Sequence, residues 1–175
     1  MKAFLALVTT CVLAVGCSQA PETKAPWTKV SPKFSLGDST APIVLKDGRL
    51  PNGTYWATVH RVLNSGDIVF RVMQTRFGAT CDAWAKDNGM PEGCANDYAV
   101  ADFDTELLAV DDADVVTVAE GSNPGNSFVI DFDTLRKLVR GDDVEIPVEY
   151  TWVNFPFILA IEDGVPVEIN QFWVP

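Results

Sequence analysis

Residues 155–175 read "FPFILAIEDGVPVEINQFWVP", and this stretch decides the fold class. Apolar residues alternate on both sides of an Asp-Gly pair at 163–164, which is the pattern of two antiparallel strands joined by a two-residue turn. The first of these strands places on one face the residues Phe155, Phe157, Leu159 and Ile161. The stretch therefore predicts a β-hairpin.

A second hairpin is expected upstream. Residues 54–62 alternate, with Tyr55, Ala57 and Val59 on one face, and the "NSGD" turn at 64–67 leads into the apolar run 68–77. Further short strands are expected at "DYAVAD", "ELLAV", "DVVTVA", "SFVI" and "VEYTWVN".

Two helices complete the expected elements. "DFDTLRKLVRG" at 131–141 has Asp131 or Asp133 as its N-cap and Gly141 as its end. A shorter helix is expected from Thr80 or Cys81 to Lys86. Seven to nine strands with one or two short helices predict a mainly β fold, a small antiparallel barrel or sandwich. This β-rich globular domain is expected over residues 41–175.

The N-terminus has the features of an export signal. Met1-Lys2 gives a positive start, and the apolar run Ala3–Val15 is too short for a membrane-spanning helix. The run ends in "AVGC" at 14–17, which resembles the lipobox of bacterial lipoproteins, although Leu is commoner than Ala at position 14. The resemblance implies that residues 1–16 are removed and that Cys17 carries the lipid. The alternative is an ordinary secretory signal cleaved after Ala20.

The residues after the lipobox have the composition of a tether. Residues 17–40 hold several prolines and mixed charge without apolar periodicity, so we expect a flexible spacer. The resemblance implies an exported protein anchored to the bacterial cell envelope, with the membrane as its partner through the lipid on Cys17. Ser18 after the cysteine is compatible with the outer membrane if the host is Gram-negative.

Cys81 and Cys94 are the remaining pair of cysteines in the exported chain. Two nearby thiols in an oxidising compartment usually form a disulfide, and the insert between them holds Gly89, Pro91 and Gly93, which allow a turn. Closing such a loop contributes roughly 3 kcal/mol in the chain-entropy model. The spacing is not that of a redox pair, and a zinc site would need more Cys or His than the sequence provides.

The charge and the missing motifs exclude several function classes. The formal net charge of −11 disfavours nucleic-acid binding, and no Gly-rich phosphate loop or nucleotide fingerprint is present, so no cofactor is expected. His60 is the one histidine, and there is no G-x-S-x-G. An EF-hand reading of residues 102–113 fails because Leu107 and Ala113 stand where Gly and Glu are needed, while an irregular calcium site stays open. We therefore expect no catalytic residues and no regular metal site.

Carboxylate chemistry is the competing enzyme hypothesis. Acidic pairs are plentiful, but each falls at an expected turn or helix start, where capping and solvation explain it. These pairs are Asp102/Asp104, Asp111/Asp112/Asp114, Asp131/Asp133 and Asp142/Asp143.

The globular part is similar to small exported bacterial proteins of unknown function. The resemblance covers residues 54–175 and depends on "NDY" at 96–98, the "PFILAIEDGVPVE" hairpin, Gln171 and Pro175; it implies a domain boundary and no activity. The leading hypothesis is a non-catalytic binding module for an envelope protein, glycan or small ligand. Its alternatives are a carboxylate-dependent hydrolase and a purely structural envelope component. The expected binding residues lie beside the disulfide loop: Trp84, Met90, Asn96, Asp97 and Tyr98.

Overall fold

The computed structural model describes residues 27–34, 43–94 and 98–174, and for residues 98–106 it describes the backbone alone. The expectations for Cys17, Asn96 and Asp97, and for the side chain of Tyr98, lie outside this part of the chain. Among the described residues, none of the helices is long and apolar enough to cross a membrane.

Eight strands and two helices make up the described fold, and the expected mainly β class is confirmed. The strands form one sheet in the order β1-β6-β5-β8-β7-β2-β3-β4, with neighbours antiparallel except for the parallel pair β5 and β8. β1 and β4 are the two edges, so the sheet is open. The elements are β1 Thr28–Val30, β2 Gly53–Val62, β3 Ile68–Phe77, α1 Gly78–Asp87, β4 Tyr98–Val110, β5 Val115–Ala119, β6 Ser127–Ile130, α2 Phe132–Arg140, β7 Phe157–Glu162 and β8 Val165–Gln171.

The C-terminal hairpin is confirmed and lies at the centre of the sheet. β7 pairs antiparallel with β8, and the turn residues Asp163 and Gly164 have φ angles of 51° and 79°. Positive φ at both turn positions matches the twist of a two-residue hairpin, which explains the preference for Asp-Gly there. The β2–β3 hairpin is confirmed as well.

One face of the sheet encloses the main core. Buried apolar side chains from every strand except β1 belong to a single cluster, so the sheet curls around it as in a sandwich or open barrel. The largest fully buried members of this cluster are Tyr55, Phe70, Phe128, Phe157, Ile68, Leu135, Leu159, Ile161 and Ile169. We call this the inner face of the sheet.

Helix α2 closes this core, and its ends are set by the residues that the sequence indicates. The Asp131 carboxylate accepts a 2.6 Å hydrogen bond from the Thr134 amide at the N-terminus. Gly141 ends the helix in the left-handed region, with φ of 73°. Phe132, Leu135 and Leu138 form the buried stripe.

The outer face of the sheet changes from apolar to polar across its width. Trp56 pairs with Ile158, which pairs with Asn170, which in turn pairs with Thr117. Because side chains alternate along a strand, this row faces away from the main core. Trp56, Ile158 and Phe172 form a second, smaller apolar cluster there.

Two strand expectations are wrong. Residues 98–110 form one long strand instead of two short strands separated by an acidic turn. Val72 pairs with Glu106 and Gln74 with Ala101, so a register shift accommodates the extra β4 residues while pairing with β3 continues.

The "VEYTWVN" stretch was expected to be a strand, but residues 142–156 have no helix or strand. Its carbonyl groups accept hydrogen bonds from elsewhere: Thr151 O from the Gly121 amide at 2.9 Å, and Val153 O from Gln171 Nε2 at 2.8 Å. Tyr150 is buried, whereas Val148 is fully exposed. The alternating pattern of this stretch therefore belongs to a loop that packs on the domain, not to a strand.

Residues 27–34 fall within the range expected to be a spacer, and they pack on the domain. β1 pairs with β6, and the Trp27 ring lies 6.0 Å from that of Phe128 and 4.6 Å from that of Tyr150. Trp27 Nε1 also donates a 2.9 Å hydrogen bond to Glu145 O. The folded part of the described chain thus includes Trp27 and begins earlier than residue 41.

Candidate functional site

A short segment crosses the outer face of the sheet after β1. Val30 pairs with Ser127 on β6, and three residues later the Lys33 ammonium contacts the Glu168 carboxylate on β8. Because β5 lies between β6 and β8, residues 31–34 pass over it. We call residues 31–34 the strap. Its last residue, Phe34, packs against the cluster around Trp56.

A cavity of about 350 Å³ lies between the strap and the outer face. This volume is within the range of small-molecule sites, which are mostly apolar with a few hydrogen-bonding groups. The lining residues are Pro32, Lys33, Phe34, Thr117, Ala119, Pro124, Ser127, Asn170, Gln171, Phe172 and Trp173.

The floor of the pocket is polar and uncharged. Thr117 Oγ1 donates a 2.9 Å hydrogen bond to Asn170 Oδ1, and Asn170 Nδ2 donates one of 3.3 Å to Glu168 Oε2. Ser127 is 2 % exposed, and its hydroxyl makes no hydrogen bond within the described part of the chain. The floor therefore contains one hydrogen-bonded pair and the hydroxyl of Ser127, which lines the cavity.

Aromatic side chains form much of the wall. The ring of Phe172 lies 5.3 Å from that of Trp56. Trp173 donates a 3.2 Å hydrogen bond from Nε1 to Gly121 O, and its ring lies 5.9 Å from that of Phe155. These contacts position both rings without a ligand, so the wall is largely pre-formed.

The charges at the pocket neutralise each other. Lys33 is the charged residue among those that line the cavity, and it is paired with Glu168. The hydrogen bond from Lys33, with a smaller contribution from that of Asn170, holds the pKa of the Glu168 carboxyl below its usual range against partial burial. Glu168 thus stays ionised at neutral pH, and its partner cation is already in place.

Gln171 fixes one side of the pocket. Its Oε1 accepts a 3.0 Å hydrogen bond from the Ala119 amide, and its Nε2 donates to the carbonyl oxygens of Val153 and Phe155. This buried amide therefore joins the end of β5 to the loop before β7. The sequence around Gln171 gives no sign of this structural role.

The turn that carries Pro124 is held by a buried carboxylate. Glu120 accepts hydrogen bonds of 2.7 Å from Ser122 Oγ and from Asn126 Nδ2, and these lower the pKa of the Glu120 carboxyl. An ionised Glu120 keeps the turn closed and Pro124 at the pocket.

Trp84 and Met90 are the two described side chains among the residues expected to bind a partner, and they lie away from this pocket. The sulfur atoms of Cys81 and Cys94 are at disulfide distance, with Cα atoms 5.8 Å apart. Trp84 on α1 is half-buried, with the Arg76 guanidinium 5.7 Å from its ring, and Met90 is 41 % exposed. Neither Trp84 nor Met90 lines the pocket.

The expected carboxylate and histidine sites show local roles. His60 is exposed on β2, where Nδ1 lies 3.4 Å from Arg71 Nη2. Asp112 accepts a 2.8 Å hydrogen bond from the Ala113 amide, as in a turn, and Asp133 pairs with Lys137 at 2.7 Å. No group of three or more His, Cys, Asp or Glu side chains that could hold a metal ion occurs in residues 27–34, 43–94 and 107–174.

Comparisons with protein-family models, with curated proteins and with solved structures find no match to this chain. The geometry of the pocket is therefore the basis for the function proposed below.

One feature of the sequence marks this pocket, namely polar residues within apolar strands. Thr117, Ser127 and Asn170 are polar residues placed within otherwise apolar strands, in "VVTVA", "SFVI" and "INQF". Buried polar side chains in a sheet need partners or a ligand, so such positions mark a candidate site.

Proposed function

We propose that this chain is an exported, lipid-anchored binding module of the bacterial cell envelope and that its binding site is the pocket beneath the strap. The observation that carries the proposal is the cavity of about 350 Å³, with aromatic walls and a hydrogen-bonding floor. Sites for small molecules combine these two features, because apolar walls supply affinity and a few polar groups fix orientation.

The chemistry of the lining favours binding over catalysis. Its floor offers the Thr117–Asn170 pair and the Ser127 hydroxyl, none of which titrates near neutral pH. Its one cation is engaged by Glu168. General acid–base hydrolysis would need two suitably placed titratable groups beside the substrate, and the described lining does not provide them.

The tether that the lipobox resemblance implies would be shorter than the spacer expected over residues 17–40, because Trp27 already packs on the domain. If the lipid is attached at Cys17, the chain between the anchor and the folded domain runs only to Trp27. Ten residues span at most about 35 Å when fully extended. This length would keep the pocket close to the membrane surface, where a ligand from the bilayer or the envelope is available.

Filling the pocket tests the proposed site. Ala119 is on its floor, so Ala119→Ile places a larger side chain in the cavity. Ala160→Ile is the matched control, because Ala160 is on β7 and does not line the cavity. We expect the fluorescence titration of N-phenyl-1-naphthylamine to show binding by wild type and Ala160→Ile and at least tenfold weaker binding by Ala119→Ile. Equal binding by all three folded proteins would contradict the proposal.

A further inference from the structure

We propose that the pocket selects an uncharged ligand that has a flat apolar body and one group that hydrogen-bonds to the Ser127 hydroxyl. This inference rests on the proposed function, because it names the class of ligand for the same pocket. Three properties of the described residues support it: the charge balance, the free hydroxyl and the wall.

The charge balance excludes ionised ligands from the favoured class. Among the described lining residues an anion would find no free cation, because the Lys33 ammonium is paired with Glu168. It would also approach a carboxylate that stays ionised, in a chain whose formal net charge is −11. A cation could gain Glu168 only by displacing Lys33. An uncharged ligand disturbs neither group and avoids the cost of burying an unpaired charge.

The Ser127 hydroxyl supplies the polar contact. The Thr117 hydroxyl proton and the Asn170 carbonyl oxygen are paired with each other, and one Asn170 N–H is directed to Glu168. Ser127 is 2 % exposed and faces the cavity, and its hydroxyl is outside every hydrogen bond of the described residues. A ligand group that hydrogen-bonds to this cavity-lining hydroxyl therefore gains affinity.

The walls favour a flat apolar body. Phe34 and Pro32 come from the strap, whereas Phe172 and Trp173 come from the segment after β8. A ligand in the cavity therefore contacts aromatic side chains from two separate segments. Aromatic faces pack well against flat rings in stacked or edge-on arrangements.

Two dyes with one ring skeleton provide the test. N-phenyl-1-naphthylamine is uncharged and has one N–H donor, and 8-anilinonaphthalene-1-sulfonate adds a single sulfonate to the same rings. The signal specific to the pocket is the part of the fluorescence that Ala119→Ile removes. We expect the uncharged dye to bind at least tenfold tighter than the sulfonate. Ser127→Ala should lower the affinity for the uncharged dye roughly two- to tenfold, which is the range for one hydrogen bond.

Removing a hydroxyl outside the pocket provides the matched control for Ser127→Ala. Thr58 lies on β2, outside the pocket lining, and its hydroxyl bonds to Met73 Sδ at 3.4 Å. Thr58→Val should leave both dye affinities unchanged. Equal affinity for the two dyes, or no effect of Ser127→Ala, would overturn the ligand class while the loss in Ala119→Ile still supports the pocket. Binding of either dye that is insensitive to Ala119→Ile, or no binding at all, would overturn the proposed function itself.

Discussion

Thr117 and Asn170 are register partners on the parallel strand pair β5–β8, and a 2.9 Å hydrogen bond joins Thr117 Oγ1 to Asn170 Oδ1. The bond connects the C-terminal hairpin to the β5–β6 part of the sheet. It also forms the pocket floor, so one side-chain pair contributes to both the fold and the site.

Breaking this pair should be costly. Thr117→Val leaves the Asn170 carbonyl oxygen buried without its donor, and we expect the free energy of unfolding to fall by about 1–3 kcal/mol. The double variant Thr117→Val/Asn170→Leu removes both partners. Its free energy of unfolding should fall by less than the sum of the losses in the two single variants. Urea unfolding of the four proteins in the cycle measures this coupling. Strictly additive losses would show that the bond does not couple the strands.

The contact between the strap and β8 should weaken in acid. The pKa of Glu168 is lowered in the folded protein, so its contribution to stability is full above the ordinary glutamate pKa of about 4.3. The contribution is lost as the pH falls through the lowered folded pKa. Glu168→Gln should therefore cost at most about 1 kcal/mol at pH 7, since the pair is partly exposed. As the pH is lowered from 7 to 3, the stability of Glu168→Gln should also fall less than that of wild type.

Thermal unfolding between pH 3 and pH 7 tests this expectation. Glu162→Gln is the control, because Glu162 is exposed on β7 and makes no ion pair within the described residues. Parallel pH profiles for wild type and Glu168→Gln would contradict the assignment of this stability to the strap contact.

If the chain enters an oxidising compartment, Cys81 and Cys94 should be covalently linked. Peptide mapping without reductant is expected to find Cys81 joined to Cys94. Replacing both by Ala should lower the free energy of unfolding by roughly 3 kcal/mol, because the loop between them is no longer closed in the unfolded chain. Two free thiols in protein purified from its native cells without reductant would refute the bond.

Lipid attachment at Cys17 is an independent prediction. Labelled palmitate should enter the wild-type protein and should not enter Cys17→Ala, because the lipobox resemblance makes Cys17 the acylated residue. Cys11→Ala is the control, since Cys11 lies within the segment whose removal the lipobox resemblance implies. Equal labelling of wild type and Cys17→Ala would reject the anchor.

The elements that could be predicted from sequence are those set by local chemistry. Asp163-Gly164 provides the positive φ angles of a hairpin, while Asp131 and Gly141 provide the ends of α2. These signals act within a few residues of one another, and therefore they can be read without knowledge of the fold.

The pocket could not be predicted because its parts are distant in sequence. Thr117 and Asn170 are 53 residues apart, and only the parallel pairing of β5 with β8 brings them together. The strap could not be predicted from the sequence for a different reason. The prolines around it resemble those of a linker, although Trp27 and Phe34 anchor the segment to the two clusters.

Hydrogen–deuterium exchange with and without N-phenyl-1-naphthylamine tests the central claim, that the pocket beneath the strap is the binding site. We expect slower exchange in the strap, at residues 117–119 and at residues 170–173 when the dye is bound. The disulfide loop at 82–93, which holds Trp84 and Met90, should exchange at the same rate with and without the dye. Protection confined to that loop, with no change in the strap or at β5 and β8, would contradict the account.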